Sequence, residues 1–315
     1  MMDFDGFHNY LVSEKRSSPH TVESYRNDLE QFSAYCERDF EIRDHAEVTP
    51  PVVRSWLASL MEEKYAATSV HRKLSSVNAF YKFLLRNGKV GANPAHGLPK
   101  PKLPKRLPTF VEEHSIKGLY ALEKKNAPGA SDESTHGEKS TQEFSHLRNT
   151  LIVTLFYETG IRRAELLGLK DEDVDFYIGQ LKVLGKRNKM RYVPIGKEMK
   201  GKLETYLRLR ESQNFGQKAG SLFVTDKGKK INKTFLQLTV KSYLSDITTM
   251  KKKSPHVLRH TFATHMLNNG ADLNVIKEIL GHSSLAATQV YTHNSIEKLK
   301  SIHSRMHPRN NNVNP

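Results

Sequence analysis

The chain has 315 residues, of which 37% are apolar, and its formal net charge is +15. This length allows two domains of ordinary size, and no apolar run approaches the roughly 18 residues that a membrane-spanning helix needs. The N-terminal segment MMDFDGFHNY is acidic and aromatic, which argues against a secretory signal peptide. The single cysteine, Cys36, cannot form an internal disulfide, which fits a reducing cytoplasm.

The positive charge predicts a polyanionic partner, and nucleic acid is the leading candidate. Residues 1–108 hold 16 basic and 13 acidic side chains, whereas residues 109–315 hold 33 and 21. Most of the excess charge therefore lies in the second part of the chain. Charge that serves only solubility is the alternative explanation.

Residues 1–97 predict a bundle of four helices, because apolar side chains recur there at helical spacing and no convincing strand pattern interrupts them. Two of the helices have clear start signals. Ser18 and Thr49 are good capping residues, and Pro19 and Pro50 follow them at the first helical position.

The fourth helix of this bundle is expected to be capped by Thr68 or Ser69 and to end at Gly88. Polar side chains that suit phosphates and base edges flank its apolar stripe. An ordinary solvated face would have the same composition, so both interpretations stay open. The flanking side chains are His71, Arg72, Lys73, Ser75, Ser76 and Asn78.

Residues 98–108, LPKPKLPKRLP, contain four prolines and four basic residues. Proline at this density excludes helix and central strand and predicts a stiff, extended connector. The basic residues, which include Lys102, Lys105 and Arg106, would let the connector follow a phosphate backbone. A plain linker is the simpler and compatible alternative.

The second part of the chain begins with a helical pattern over residues 109–125. Residues 126–141 are polar and nearly free of large apolar side chains, so we expect a flexible surface insertion there. Further helices are predicted at residues 144–158, 197–213 and 232–248.

Gly160 ends the helix predicted at residues 144–158, and Arg162 opens the next one. Glu165 follows Arg162 at a spacing of three, so both side chains share one helix face. The glutamate can hold or orient the arginine, or it can be an ordinary acidic residue on a helix surface.

Residues 180–196, QLKVLGKRNKMRYVPIG, predict a β-hairpin with strands at 181–184 and 191–195. A mobile hairpin tip beside a phosphate site could deliver one lysine, although a solvated charge run is the alternative. Five basic residues lie on or beside the turn: Lys182, Lys186, Arg187, Lys189 and Arg191.

Residues 254–293 carry the most informative pattern. Ser254 is a good N-cap, and the helix that follows is expected to run to about Asn269 before Gly270. Its apolar stripe is Leu258, Phe262 and Met266. His256 and Arg259 share a face beside that stripe.

A second short helix at 273–280 ends at Gly281, and His282 follows immediately. Ser283 or Ser284 would cap a third short helix that carries Tyr291. Three short helices with tight turns can bring His256, Arg259, His282 and Tyr291 to one place.

Four motifs now stand in order: TGIRRAELLGL, VLGKRNKMRYVPI, SPHVLRHTFATHMLNNGADL and ILGHSSLAATQVYTH. In this order they resemble the tyrosine recombinase, or phage integrase, family, and are most similar to bacterial Xer-type site-specific recombinases. The resemblance covers essentially the whole chain. Arg163-Ala164 and the insertion at 126–141 depart from the usual Xer pattern.

The resemblance implies a mainly α fold in two domains. Residues 1–97 would form a four-helix, SAM-like domain that binds the core DNA, and residues 98–108 the linker. Residues 109–315 would form a mixed, mostly helical catalytic domain with a small β-sheet, the DNA breaking-rejoining enzyme fold. The tail, residues 294–315, would dock on a neighbouring subunit, although packing on its own domain is the alternative.

The resemblance also implies strand exchange through a 3′-phosphotyrosine, with Tyr291 as the nucleophile. A phenol with a pKa near 10 is only about one part in a thousand ionised at pH 7, so it needs a base or a cationic pocket. Arg162 and Arg259 would clamp the phosphate oxygens, because guanidinium forks match them. His256 would take the tyrosine proton, and His282 would hydrogen-bond the phosphate. Lys186 would protonate the departing 5′-oxygen.

No cofactor, metal or ATP is expected, since two arginines can neutralise the phosphate and no GxxxxGK phosphate loop is present. The expected partners are a double-stranded recombination site, a homo- or hetero-tetramer that could include a second recombinase, and an activating protein. The expected location is the bacterial cytoplasm, in association with the nucleoid.

Two alternatives stay open. An integrase of a phage or conjugative element would use the same chemistry, and the absence of an extra N-terminal arm-binding domain favours an Xer or simple integrase. A DNA-binding protein that has lost catalysis belongs to another class. Each candidate residue alone could have a structural role, but six in family order favour the enzyme. His260 and His265 are assigned to structure or to secondary support, since the family pattern uses His256.

Overall fold

The computed structural model describes residues 4–102, 109–125, 136–185, 189–215 and 220–281. The chain divides into two compact units, Met1–Arg106 and Leu107–Pro315. No helix among the described ranges is both long enough and apolar enough to cross a membrane.

The first unit is helical, as predicted. Ser18 caps α2, since its side chain accepts a hydrogen bond from the backbone N–H of Thr21 at 3.2 Å. The prediction that Thr68 or Ser69 caps the fourth helix is wrong, because that helix begins earlier and has Ala66 at its N-cap. The helices of the first unit are α1 (Asp5–Asn9), α2 (Pro19–Phe40), α3 (Pro50–Glu62) and α4 (Ala67–Arg86). A π-helical turn (Tyr10–Glu14) continues α1, and a short 3-10 turn lies at His45–Glu47.

The core of this unit holds a charged cluster between α2 and α4. The carboxylate of Asp28 is 1% exposed and accepts hydrogen bonds from Ser76 at 2.7 Å, from Lys73 at 3.2 Å and from Arg72. A buried carboxylate needs such partners, because an unpaired one would lose its hydration without compensation. The cluster therefore fixes α4 against α2.

The second unit is built around one buried helix. Residues 151–160 at the end of α6 are all buried, and α6 packs against α8, α9 and α10. Its helices are α5 (Glu113–Lys125), α6 (His136–Thr159), α7 (Arg163–Gly168), α8 (Lys197–Ser212), α9 (Lys233–Ile247), α10 (Pro255–Asn268) and α11 (Leu273–Leu280).

The predicted hairpin is present within a three-stranded antiparallel sheet in the order β1-β2-β3. The strands are β1 (Val174–Asp175), β2 (Gln180–Leu184) and β3 (Met190–Pro194). The register places Val183 opposite Arg191. The first strand was not predicted, because two residues are too short to form an alternating pattern.

Two segment boundaries in the structure differ from those predicted from the sequence. The helix predicted at residues 109–125 begins only at Glu113. The flexible insertion predicted at 126–141 is wrong for residues 136–141, which form the first turns of α6, while residues 126–135 lie outside the described part of the chain.

Candidate active site

The described residues include three of the six predicted catalytic residues: Arg162, His256 and Arg259. The other three, Lys186, His282 and Tyr291, lie outside them, as do the predicted third short helix and the C-terminal tail.

Arg162 and Arg259 meet at the C-terminal end of α11. Arg162 is the N-cap residue of α7, and its Nη2 donates to the carbonyl oxygen of Gly281 at 3.1 Å. Arg259 lies in the second turn of α10, and its Nη2 donates to the carbonyl oxygen of Leu280 at 2.8 Å. The structure thus brings together two guanidinium groups that are 97 positions apart in the sequence.

Packing of α10 aims Arg259 at this point. Leu258 and Phe262 are fully buried, as the apolar stripe predicted, so the neighbouring face turns Arg259 toward the end of α6. There its Nη1 donates to the carbonyl oxygen of Gly160. Gly160 has φ +58°, and a Cβ there would lie 2.6 Å from Leu280 Cδ2 and 2.7 Å from Phe262 Cδ1. Only glycine allows this approach.

Glu165 lies between two arginines in the interior. Its Oε1 accepts from Arg162 Nη1 at 2.8 Å and from Arg191 Nη1 at 2.9 Å. Its Oε2 accepts from Arg191 Nη2 and from the backbone N–H of Arg162, both at 2.8 Å. Burial raises the pKa of Glu165, but the hydrogen bonds and charges of Arg191 and then Arg162 outweigh it and lower that pKa to about 2. The carboxylate is therefore ionised at neutral pH.

Arg191 has an importance in the structure that its place among the basic residues of the predicted hairpin did not indicate. It is 4% exposed, and its Nε donates to the carbonyl oxygen of Ile279 at 2.7 Å. The signal was the strand alternation: Arg191 and Val193 are two apart and both buried. An arginine at an inward strand position requires a buried acceptor.

Three arginines thus bind three successive carbonyl oxygens at the end of α11. Arg191 binds Ile279, Arg259 binds Leu280 and Arg162 binds Gly281. The last carbonyl groups of a helix have no intrahelical donor and form the negative end of its dipole. Cationic donors from β3, α10 and α7 satisfy them and fix this helix end against the site.

The electrostatics favour an anionic ligand. Burial, followed by the charge of nearby Arg162, lowers the pKa of Arg259 to about 10, so Arg259 stays protonated at neutral pH. Partial desolvation and then the charges of Arg163, Arg259 and Lys252 lower the pKa of His256. A histidine with a lowered pKa is neutral at pH 7 and can accept a proton.

The residues predicted to contact DNA differ in their exposure and in their hydrogen-bond partners. Arg72 is exposed and bonds to Asp28, whereas His71 Nε2 lies 2.6 Å from the carbonyl oxygen of Pro101. The prediction that Lys73 contacts DNA disagrees with the structure, because Lys73 is 7% exposed and its ammonium binds Asp28 and Gln31. Lys102 and Lys189 are exposed, while Lys105, Arg106 and Arg187 lie outside the described residues.

Comparisons with known proteins identify the class of enzyme that this arrangement belongs to. The phage integrase family matches residues 135–298, and the phage integrase N-terminal SAM-like domain matches residues 4–88. The chain therefore belongs to the phage integrase family, and it is a tyrosine recombinase.

Curated relatives match over almost the full length. The chain is 34% identical to "Tyrosine recombinase XerC" of Chlorobaculum parvum, over 96% of this chain and 93% of that protein. It is 36% identical to "Tyrosine recombinase XerC" of Halalkalibacterium halodurans, over 95% of each chain.

Solved structures share the fold at low sequence identity. A post-cleavage complex of XerH recombinase with a palindromic difH substrate has a TM-score of 0.65 at 20% identity, covering 92% of this chain and 81% of that one. The Tn1549 transposon integrase in complex with transposon right end DNA has a TM-score of 0.63 at 17% identity, covering 93% and 96%. These likenesses support the mainly α fold with a small antiparallel sheet.

Proposed function

We propose that this chain is an Xer-type site-specific DNA recombinase that cuts and rejoins strands through a 3′-phosphotyrosine and resolves chromosome or plasmid multimers. The observation that carries the proposal is the convergence of Arg162 and Arg259 on one helix end, immediately before His282 in the sequence. Relatives named XerC match over almost the whole chain and support the Xer assignment.

The cleavage step transfers a phosphoryl group without a change of bond type. The hydroxyl oxygen of Tyr291 attacks the scissile phosphorus, and the bond from phosphorus to the 5′-oxygen of deoxyribose breaks. His256 takes the tyrosine proton, for which its lowered pKa suits it. Lys186 gives a proton to the departing 5′-oxygen. One phosphodiester replaces another, so rejoining needs no external energy source.

Charge stabilisation comes from Arg162 and Arg259. Attack builds negative charge on the non-bridging oxygens, and two guanidinium groups that already have fixed positions need little reorganisation to bind them. A single such preorganised donor is often worth about 3–4 kcal/mol of transition-state stabilisation. His282 adds a hydrogen bond to the same phosphate.

DNA binding would involve both parts of the chain. We assign phosphate or base-edge contacts to His71 and Arg72 on α4, the latter oriented by Asp28. Lys102, Lys105 and Arg106 of the linker and Arg187 and Lys189 of the hairpin would contact the backbone. Such contacts release counterions, so affinity should fall steeply with salt.

The active assembly would be a homo- or hetero-tetramer on DNA in the bacterial cytoplasm, associated with the nucleoid. A second recombinase and an activating protein are further expected partners. The tail after Tyr291, residues 294–315, would dock on a neighbouring subunit and couple one protomer's cleavage to the next.

A suicide substrate tests this function. Duplexes that the protein selects from a randomised pool are nicked beside the cleavage position, so that cleavage releases a short fragment and the covalent complex accumulates. We expect a protein–DNA adduct that resists denaturation and is absent for Tyr291→Phe, which keeps the aromatic ring but lacks the nucleophilic hydroxyl. An adduct that persists in Tyr291→Phe would exclude Tyr291 as the nucleophile, and no adduct with the wild-type protein would exclude the function.

A further inference from the structure

Arg191 uses every nitrogen of its guanidinium group inside the protein. Nη1 and Nη2 donate to the two oxygens of Glu165, at 2.9 and 2.8 Å, and Nε donates to the carbonyl oxygen of Ile279 at 2.7 Å. The side chain is 95% buried. Because the side chain is this deeply buried and each of its nitrogens is bound, we expect its influence on the chemistry to pass through the groups it binds.

One of these groups controls Arg162. Glu165 Oε1 accepts from Arg162 Nη1 at 2.8 Å, and Oε2 accepts from the Arg162 backbone N–H. Because Arg191 donates to both oxygens of this carboxylate, rotation of the carboxylate would break these hydrogen bonds. The orientation of Glu165 in turn fixes Arg162, whose side chain is only one-third exposed.

The other group is the end of α11. Besides binding the carbonyl oxygen of Ile279, Arg191 packs against Gly281. A Cβ added at Gly281 would lie 3.1 Å from Arg191 Cδ and 3.2 Å from Arg191 Nη1. Leu280 and Gly281 supply the carbonyl oxygens that hold Arg259 and Arg162. The side chain of Arg191 therefore contacts the groups that hold the guanidinium groups of Arg162 and Arg259.

We propose that Arg191 is a positioning residue for the Arg162–Arg259 phosphate clamp. The inference rests on the proposed function and deepens it. Arg191 fixes Glu165 and the C-terminal end of α11 together, so that Arg162 and Arg259 are held ready for the scissile phosphate. Loss of this support displaces the clamp without removing either clamping arginine.

Two variants and one matched control separate positioning from general stability. Arg191→Met removes the charge and leaves one side of the buried carboxylate unpaired. Arg191→Lys keeps the charge but loses the planar fork that binds two oxygens at once. Arg210→Lys is the control, because Arg210 is 3% exposed and binds Asp171 and two backbone carbonyls but none of the clamp residues.

Each protein is compared on two nicked duplexes at saturating concentration. One has an ordinary scissile phosphodiester. The other has a methylphosphonate, in which a methyl group replaces one non-bridging oxygen and removes the charge that the clamp neutralises. The melting temperature, DNA affinity and single-turnover rate of adduct formation are measured, with Tyr291→Phe as the blank.

We expect Arg191→Met and Arg191→Lys to slow adduct formation on the phosphodiester, by up to about 100-fold, as for an active-site displacement near 1 Å. DNA affinity should stay within a few-fold, and the defect should shrink at least about tenfold on the methylphosphonate. Arg210→Lys should lower the melting temperature without a selective loss on the phosphodiester.

An unchanged rate in both Arg191 variants, or an equal loss on both substrates, would overturn the inference. Should Arg191→Met not fold, Arg191→Lys supports the same comparison. Absence of adduct with the wild-type protein would instead refute the proposed function, and the inference with it. The two failures are therefore distinguishable.

Discussion

Arg259 donates a hydrogen bond to the carbonyl oxygen of Gly160, which lies 99 positions earlier in the chain. This bond joins α10, which carries the second arginine of the proposed clamp, to the residue that follows the buried helix α6. Gly160 also stands two positions before Arg162, the first arginine of the proposed clamp. The backbone at Gly160 is therefore close to both arginines, in space to Arg259 and in sequence to Arg162.

Substituting Gly160 tests this relationship. Gly160→Ala imposes a left-handed conformation on alanine and pushes its Cβ to 2.6 Å from Leu280 Cδ2. We expect a loss of about 2–5 kcal/mol in the free energy of unfolding from strain and overpacking together. Urea denaturation measures it. Gly201→Ala, in α8 with nothing within 4 Å of its added Cβ, should instead be neutral or stabilising by up to about 1 kcal/mol. Equal effects at both glycines would contradict this account.

The clamp itself can be removed one arginine at a time. Arg162→Ala and Arg259→Ala should each reduce single-turnover cleavage by about 10²–10³-fold or more, because a preorganised donor to the developing charge is lost. Site binding, measured by fluorescence anisotropy, should largely persist, since the proposed contacts of the other basic residues with the DNA backbone would remain. Complete loss of binding would indicate a structural role for the substituted arginine.

Glu165 predicts a specific pH dependence of stability. Its folded pKa of about 2 lies below its usual value of 4.5. Its contribution, about 3 kcal/mol by linkage, is therefore fully present above pH 5 and lost as the pH falls toward 2. The difference in unfolding free energy between wild type and Glu165→Gln should be largest at neutral pH and shrink on acidification. A difference that stays constant from pH 7 to pH 3 would contradict the ion-pair assignment.

His256 predicts the pH dependence of cleavage. In the proposed mechanism the neutral imidazole accepts the tyrosine proton, and the pKa of His256 is lowered. The rate should rise with pH through an apparent pKa below 6.5 and then level off. Arg163→Ala removes the largest electrostatic cause of the lowering, so it should move this rise to higher pH. An unchanged profile in Arg163→Ala would exclude this electrostatic effect on His256.

Lys186 can be tested through its leaving group. Lys186→Ala should slow cleavage of an ordinary duplex, because the departing 5′-oxygen lacks a proton donor. A duplex with a bridging 5′-sulfur should restore the rate, since a thiolate leaves without protonation. Failure of the sulfur substrate to recover cleavage would argue against Lys186 as the acid.

The sequence predicted which helices form better than it predicted where each helix begins. Apolar spacing located α10 and α11, and Leu258 and Phe262 are buried as expected. The start of α4 was misplaced, because Thr68 and Ser69 are good caps in isolation while the helix begins at Ala67. Local propensity is a weak guide to such a boundary, which shifts readily by one or two residues.

The candidate site shows the same limit. Motif order singled out Arg162 and Arg259. The three successive carbonyl oxygens that bind Arg191, Arg259 and Arg162, one each, belong to a backbone that carries no sequence signal. Arg191 was hidden because a buried arginine and a solvated hairpin arginine look alike until the strand register is known. Lys73 was misassigned for the converse reason: its partners, Asp28 and Gln31, are 45 and 42 positions away.

The proposed function requires a covalent bond between Tyr291 and a DNA 3′-phosphate. Mass spectrometry of the nuclease-trimmed, protease-digested adduct tests it most directly. The account predicts one nucleotide-modified peptide, with Tyr291 bearing a 3′-phosphodiester and the released strand ending in a free 5′-hydroxyl. A modification at any other residue, or a linkage through a 5′-phosphate, would contradict it.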